Sequence, residues 1–86
     1  MYSIEFSNSA GKELEKVYGF DQKLYARLIA AIESLKTDPY AGKKLKGPLN
    51  DRFSIRVGNY RIVYRLFKNR LVVYIIDLGH RKDIYR

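Results

Sequence analysis

The sequence contains no cysteine, and His80 is the single histidine among its 86 residues. A chain without cysteine has no disulfide framework, and one histidine falls short of the several Cys and His ligands that a zinc site needs. Catalysis by two histidines, one acting as acid and the other as base, is excluded for the same reason. No glycine-rich phosphate-binding fingerprint occurs either. The sequence therefore predicts that the protein binds neither a metal nor a cofactor.

Long hydrophobic runs are also lacking. The longest uncharged apolar run, residues 71–76, is far shorter than the roughly 20 residues that a membrane-spanning helix requires. The first residues alternate polar and apolar side chains and show neither the basic nor the apolar segment of a secretory signal. We therefore expect one domain covering residues 1–86, located in the cytoplasm and not bound to membranes.

Acidic residues are scarce in the second half of the chain. Residues 1–51 hold eight Lys and Arg against seven Asp and Glu, whereas residues 52–86 hold nine against two. Nearly all of the formal net charge of +8 therefore belongs to residues 52–86. Such a basic field favours a polyanionic partner, with nucleic acid as the first candidate and an anionic membrane or an acidic protein as competitors.

The basic half opens with a predicted β-hairpin over residues 52–65. Two runs of alternating side chains are separated by Gly58-Asn59, and a two-residue loop that begins with Gly suits a tight primed turn. With this loop, Val57 lies opposite Tyr60. Counting away from the turn then pairs Arg56 with Arg61, Ser54 with Val63, and Arg52 with Arg65.

These last three pairs share one face of the hairpin, which we call the arginine face (Arg52, Ser54, Arg56, Arg61, Val63 and Arg65). The other face carries only uncharged side chains and is the predicted core side: Phe53, Ile55, Val57, Tyr60, Ile62, Tyr64 and Leu66. Like charges directly opposite each other destabilise a strand pair, so two arginine pairs on one small face indicate an anionic ligand. The alternative is a solvated face whose long basic side chains protect a sheet edge.

The remaining segments predict the order β-α-α-β-β-β. Residues 2–6 alternate as a first strand, and residues 71–78 are apolar on both faces, which is typical of a strand inside a sheet. One helix, capped by Ser7 or Ser9, should end at Gly19, and a second, capped by Asp21, should end at Asp38-Pro39. The two apolar stripes predicted to face the core are Ala10, Leu14, Val17 and Tyr18, and Leu24, Leu28, Ala31, Ile32 and Leu35. We therefore expect an α+β fold in which a two-helix hairpin packs on a small, mostly antiparallel sheet.

Basic residues also occur outside the hairpin. Lys43, Lys44 and Lys46 lie in a predicted loop, residues 40–48, and either contact phosphates or are merely solvated. Gly79 is expected to end the last strand, after which Arg81 and Tyr85, four residues apart, project to the same side of the tail. A guanidinium for a phosphate and a ring for a base suit a nucleotide, although Tyr85 could instead pack on the core.

Four segments together resemble the RelE family of toxins from bacterial and archaeal toxin–antitoxin pairs. The most specific are the Arg-x-Gly-x-Tyr-Arg-x-x-Tyr block at residues 56–64 and the His-Arg-Lys-x-x-Tyr block at residues 80–85; the others are the alternating residues 2–6 and the Lys-Lys-Leu-Lys-Gly segment at residues 43–47. The resemblance implies a RelE-like microbial ribonuclease fold. It also implies metal-independent cleavage of mRNA in the ribosomal A site by attack of the 2′-hydroxyl, which leaves a 2′,3′-cyclic phosphate and a 5′-hydroxyl and inhibits translation.

The resemblance implies roles for individual residues as well. Arg61 and Arg81 match the phosphate-binding arginines that stabilise the transition state, and Tyr85 matches the tyrosine that stacks on the nucleotide. Ser54 stands where well-studied members carry a lysine, which leaves the general base open between Arg52, Lys46 and His80. The predicted catalytic residues are Arg56, Arg61, His80, Arg81 and Tyr85, and the predicted RNA-binding residues are Lys43, Lys44, Lys46, Arg52, Ser54, Arg65 and Lys82.

The family also implies partners. These are a cognate RelB-like antitoxin of acidic character and a 70S-type ribosome with its mRNA, and the toxin–antitoxin complex is expected to bind operator DNA through the antitoxin. Two alternative functions remain open at this point. One is that of a ParE-like toxin, which poisons DNA gyrase on a similar scaffold, and the other is that of a binding module that holds RNA or antitoxin without cutting.

Overall fold

A computed structural model describes residues 1–49 and 51–81, with the side chain of Leu49 excepted. The two helices are α1 (Asn8–Phe20) and α2 (Gln22–Ser34), and a short 3-10 helix covers Gly47–Leu49. The strands are β1 (Ser3–Phe6), β2 (Lys43–Lys44), β3 (Arg52–Val57), β4 (Tyr60–Phe67) and β5 (Val72–His80). They form one sheet in the order β1-β5-β4-β3-β2, in which only the β1–β5 pairing is parallel. The predicted α+β fold is confirmed, with β2 as an additional short strand.

Both helix starts follow from local capping. The Ser7 hydroxyl accepts a hydrogen bond from the Ala10 N–H at 3.0 Å, and the Asp21 carboxylate accepts one from the Leu24 N–H at 3.0 Å. The helix ends differ from the predictions. Helix α1 continues past Gly19 to Phe20 because the Asp21 N–H still bonds to the Val17 carbonyl, and α2 ends at Ser34, four residues before Asp38.

The helices cover one face of the sheet, and the core lies between them and β3, β4, β1 and β5. Its fully buried members include Val17 of α1, Leu28 of α2, Tyr64 of β4, and Val73 and Ile75 of β5. Of the predicted helix stripes, Tyr18 is the exception, since it is 54% exposed and packs edge-on against Tyr25. Neither helix of the described ranges is long and apolar enough to cross a bilayer.

The hairpin has the predicted register at every pair, from Val57 opposite Tyr60 to Arg52 opposite Arg65. Gly58 has a φ of +59°, whereas Asn59 is not among the residues of positive φ. This combination is typical of a type II′ turn, which requires glycine at its first central position. The predicted core side of the hairpin faces the helices, and the arginine face lies on the opposite side of the sheet.

Strand β5 lies inside the sheet, between β1 and β4, as predicted from its apolar sequence. It differs from the prediction in two ways. Ile76 is an extra residue that interrupts the register with β4, because Ile75 pairs with Tyr64 and Asp77 pairs with Val63. Gly79 does not end the strand either, since Gly79 pairs with Arg61 and His80 with Tyr60.

The loop before the hairpin is fixed to the sheet by Tyr64. Its buried hydroxyl donates to the Pro39 carbonyl at 2.9 Å and accepts from the Gly42 N–H at 3.0 Å. A Cβ added at Gly42 would lie 2.5 Å from this hydroxyl oxygen and 2.8 Å from the Ser54 carbonyl oxygen. Only glycine therefore lets the loop approach closely enough to place β2 beside β3.

Burial raises the pKa of the Tyr64 hydroxyl above its ordinary value of 10.0, because the phenolate would lose its hydration inside the core. The neutral phenol is thus favoured in the folded state. Its contribution to the free energy of unfolding is complete below the unfolded pKa of about 10 and is lost as the pH rises through the higher folded value.

We therefore expect Tyr64→Phe to be less stable than the wild type by about 1–3 kcal/mol near neutral pH, because it leaves the buried Pro39 carbonyl and the half-buried Gly42 N–H without their partner. This difference should shrink above about pH 10, by at most about 1.4 kcal/mol per pH unit. Urea unfolding of both proteins along a pH series measures it. A difference that stays constant from neutral to strongly alkaline pH would contradict the assignment.

Candidate functional site

The arginine face is built by two cross-strand arginine pairs with a buried strip between them. Ser54 and Val63, the pair in the middle, are only 3% and 5% exposed although α1 and α2 lie on the other side of the sheet. The Nη1 of Arg61 donates to the Ser54 hydroxyl at 3.4 Å, so the Arg61 side chain lies along the strip. This contact holds the Arg61 guanidinium over the middle of the strip.

The other arginine pair is partly neutralised. Asp51 lies 3.1 Å from the Nε of Arg65 and 3.7 Å from the Nε of Arg52, with all three side chains about one-third to one-half exposed. A carboxylate between the two guanidinium groups offsets the repulsion that their opposition creates. The sequence predicted charge repulsion within both arginine pairs. In the structure Asp51 reduces this repulsion in the Arg52–Arg65 pair.

His80 lies on the helix side of the sheet and not on the arginine face. It pairs with Tyr60, and the two rings meet edge to face with their centroids 6.0 Å apart. Both rings line a pocket of about 640 Å³ between the start of α2 and the hairpin turn, together with Arg27 and Asp21. The structure thus places the His80 ring on the opposite side of the sheet from Arg56 and Arg61.

Arg81 follows β5 directly, and its backbone is held beside the hairpin turn. Its N–H donates to the Asn59 carbonyl at 2.9 Å, and the residue is partly buried. The start of the predicted C-terminal block is therefore attached to the turn that joins Arg56 and Arg61. The remaining predicted residues of this block, Lys82 and Tyr85, lie outside the described residues.

The three loop lysines separate once β2 is formed. Lys43 pairs with Ser54 and so stands on the arginine face, whereas Lys44 pairs with Phe53 and lines a pocket of about 390 Å³ on the helix side. Lys46 is exposed just beyond β2, next to the Leu45 N–H that bonds to the Arg52 carbonyl. Residues 40–48 were predicted to be a loop, and they differ from this prediction at Lys43 and Lys44, which form β2 by pairing with β3.

Sequence reasoning missed a cluster at the far end of the arginine face, which we call the Phe67 cluster (Arg65, Phe67, Arg70 and Tyr74). The guanidinium carbons of Arg65 and Arg70 lie 5.0 and 5.4 Å from the centroid of the Phe67 ring, and the Tyr74 ring meets that ring edge-on at 6.3 Å. Arg70 also pairs with Glu5 of β1 at 3.5 Å. Extending the alternation of β4 two residues beyond Arg65 would have predicted that Phe67 lies on the arginine face.

The chemistry available on the arginine face is electrostatic. Guanidinium groups bind phosphate oxygens with paired hydrogen bonds and remain charged at every physiological pH. No group of three or more His, Cys, Asp or Glu side chains that could hold a metal ion occurs within residues 1–49 and 51–81. The face can therefore bind a phosphate and stabilise negative charge that develops on it.

Comparison with known proteins agrees with this architecture. Residues 4–85 match the family described as ParE toxin of type II toxin-antitoxin system, parDE, and the chain belongs to this family of the RelE/ParE superfamily. Toxin RelG of Mycobacterium tuberculosis is 34% identical over 99% of this chain and 97% of its own. The chain is thus a RelE-type toxin of a toxin–antitoxin pair.

Two further relatives extend the comparison. The mRNA interferase toxin RelE of Escherichia coli K12 is 29% identical over 94% of this chain and 84% of its own. The crystal structure of the toxin–antitoxin complex RelBE2 from Mycobacterium tuberculosis contains a chain that is 29% identical, with a TM-score of 0.80 over 93% of this chain and 98% of that chain. The predicted resemblance to RelE toxins is therefore confirmed at the level of family and fold.

Proposed function

We propose that the protein is an mRNA endoribonuclease that cleaves messages in the ribosomal A site without a metal ion. The observation that carries the proposal is the Arg56–Arg61 pair at the turn end of the arginine face, with the Arg61 guanidinium held over Ser54. A relative with 29% identity is named an mRNA interferase, which supports the same chemistry here.

In the proposed reaction the 2′-hydroxyl of the message attacks the adjacent phosphorus. A bond from the 2′-oxygen to phosphorus forms while the bond from phosphorus to the 5′-oxygen breaks. The 2′-oxygen gives up its proton and the leaving 5′-oxygen takes up one from water, which gives a 2′,3′-cyclic phosphate and a 5′-hydroxyl. Arg61, Arg56 and Arg81 bind the non-bridging oxygens and stabilise the extra charge of the transition state. Tyr85 stacks on a neighbouring base in this scheme, as the family resemblance implies.

The group that accepts the 2′ proton must lie on the same side of the sheet as the phosphate. This condition favours Lys43, which stands on the arginine face, over His80, whose ring lies on the helix side. Arg52 is on the same face but stays protonated, so it can bind a phosphate and cannot accept the proton. Ser54 itself is a poor base, and its place in the proposal is to position Arg61 through the 3.4 Å hydrogen bond. Lys44, Lys46, Arg65 and Lys82 belong to the proposal as phosphate contacts to ribosome-bound RNA.

Translation of a defined message in a purified ribosomal system tests the proposed activity. Added protein should produce new 5′-ends at A-site codons, mapped by primer extension, and Arg81→Ala should remove them or weaken them by about 100-fold. Naked message under the same conditions should remain intact. Absence of cuts on ribosomes, with translation unaffected, would refute the ribonuclease assignment.

The proposed partner is a cognate antitoxin of acidic character that covers the basic surface in the cytoplasm. A relative with 29% identity was crystallised as a toxin–antitoxin complex, and the charge of +8 on this chain would complement an acidic chain. The toxin–antitoxin complex would bind operator DNA through the antitoxin. Co-expression with the product of the adjacent gene should give a stable complex that dissociates in high salt more readily than an apolar interface would.

One finding favours a second candidate, since the matched family is described by its ParE members. A ParE-like toxin would poison DNA gyrase without cutting RNA. A supercoiling assay with purified gyrase separates the two functions, because the ribonuclease should leave supercoiling unchanged at concentrations that arrest translation. Inhibited supercoiling with an intact message would establish the second candidate, and RNA binding without either effect would identify a pure binding module.

A further inference from the structure

The Phe67 cluster lies on the same face as the Arg56–Arg61 pair but at the opposite end of β4. Arg61 and Phe67 are six positions apart on that strand, which corresponds to about 20 Å along an extended chain. Side chains alternate along β4 without interruption, so the arginine face carries Arg61, Val63, Arg65 and Phe67. The cluster is therefore in line with the proposed phosphate site and lies farther from the hairpin turn along β4.

Its composition is that of a surface for single-stranded nucleic acid. Two arginines contact one aromatic ring, and a second ring from β5 meets the first edge-on. Aromatic rings and guanidinium planes are the surfaces on which unpaired bases stack, and the same guanidinium groups attract the phosphates between them. Arg65 and Arg70 are 41% and 57% exposed at their side chains, so their outer surfaces are accessible.

Two carboxylates compete with a phosphate for these arginines. Asp51 pairs with Arg65 and Glu5 pairs with Arg70, and each carboxylate is about half exposed. Ion pairs this exposed contribute little to stability, so a phosphate can replace the carboxylate at small cost. Their presence gives the site a distinctive property, because removal of the carboxylate should strengthen binding of an anion.

We propose that the Phe67 cluster is a second nucleotide-binding subsite, which holds the message strand a few nucleotides away from the bond that is cut. The inference rests on the proposed function, because it uses the same RNA strand and the same face. The cluster would stack one base against Arg65, Phe67 and Arg70 and contact the phosphate next to it. The RNA strand would thereby be held at two points about 20 Å apart along β4, rather than at one phosphate alone.

Fluorescence anisotropy with uncleavable 2′-O-methyl RNA tests the subsite apart from catalysis. A single strand of about six nucleotides can reach both sites, whereas a dinucleotide can occupy only one. Phe67→Leu keeps an apolar side chain without the ring, and Arg70→Lys keeps the charge without the planar guanidinium. Both should weaken binding of the longer strand by roughly 10-fold and leave binding of the dinucleotide to the Arg56–Arg61 end unchanged.

Glu5→Gln provides the opposite test, since it should tighten binding of the longer strand by about 2- to 5-fold through loss of a competing negative charge. Lys16→Ala on the exposed side of α1 is the matched control, because it removes one positive charge away from the face. Its effect on affinity should be small and equal for both RNA lengths.

The possible results separate the two proposals. If wild-type protein binds the longer strand but the Phe67, Arg70 and Glu5 variants bind it equally well, the subsite is refuted and the proposed function stands. If these variants bind the free strand like the wild type but lose affinity for programmed ribosomes, the cluster contacts ribosomal RNA, which also refutes the inference. Failure of the wild type to bind the longer strand, even at low salt, would refute the subsite, whereas the proposed function is refuted only by the absence of cuts on programmed ribosomes.

Discussion

Replacing Arg61 with alanine should lower the rate of message cleavage on the ribosome by about 100-fold or more, which corresponds to about 3 kcal/mol of transition-state stabilisation. This loss is expected because the Arg61 side chain is already held in place before the substrate binds. Arg61 is held by the Ser54 hydroxyl at 3.4 Å, and its backbone lies between Arg56 of β3 and Gly79 of β5. A donor fixed in advance aims at the charge that develops during reaction without having to reorganise.

Single-turnover cleavage with saturating programmed ribosomes measures this effect, because it separates chemistry from binding. Arg61→Lys should retain part of the rate, since the charge remains while the paired hydrogen bonds are lost. Lys16→Ala, which removes a charge from the exposed side of α1, is the control and should cleave like the wild type. A full rate in Arg61→Ala would refute the assignment of the arginine face as the catalytic surface.

Gly42→Ala should strongly destabilise the protein, with a loss of about 2–3 kcal/mol in the free energy of unfolding. The added Cβ would lie 2.5 Å from the Tyr64 hydroxyl oxygen and 2.8 Å from the Ser54 carbonyl oxygen. Tyr64 is fully buried and Ser54 belongs to β3, so neither neighbour can move without disturbing the sheet. For a domain of this size the midpoint of thermal unfolding should fall by about 10 °C or more.

Gly11→Ala is the matched control for this prediction. Gly11 lies within α1, and a Cβ added there meets no atom within 4 Å. Alanine favours the helix over glycine, so this variant should be more stable than the wild type by about 0.5–1 kcal/mol. Thermal unfolding followed by circular dichroism compares the two variants directly. Equal stability of Gly42→Ala and the wild type would contradict the close approach of the loop to β4.

The hairpin and its arginine face could be predicted from the sequence because their causes are local. A turn that needs positive φ at Gly58 fixes the loop length, and the period of two in both strands then fixes every cross-strand pair up to Arg52 and Arg65. The starts of both helices were predictable for a similar reason, since Ser7 and Asp21 act within one helical turn of the N–H groups that they cap.

The position of His80 could not be predicted, because it depends on a register shift between strands. Val73 and Ile75 point to the core, and strict alternation from them would put His80 on the arginine face. The extra residue Ile76 reverses the alternation, so Leu78 and His80 face the helices instead. A strand that is apolar on both faces gives no sign of such a reversal in its sequence.

The sequence by itself thus determined the order of elements, the location of the positive charge and the side of the hairpin that carries it. Only the tertiary structure decided which of the charged and aromatic residues meet: Lys43 beside Ser54, Asp51 between Arg52 and Arg65, and Phe67 between two arginines. The physical reason is the range of the interactions. Turn conformation, strand alternation and helix capping act over a few residues, whereas the pairing of β2 with β3, the bulge in β5 and the Tyr64 hydrogen bonds join segments that are distant in the chain.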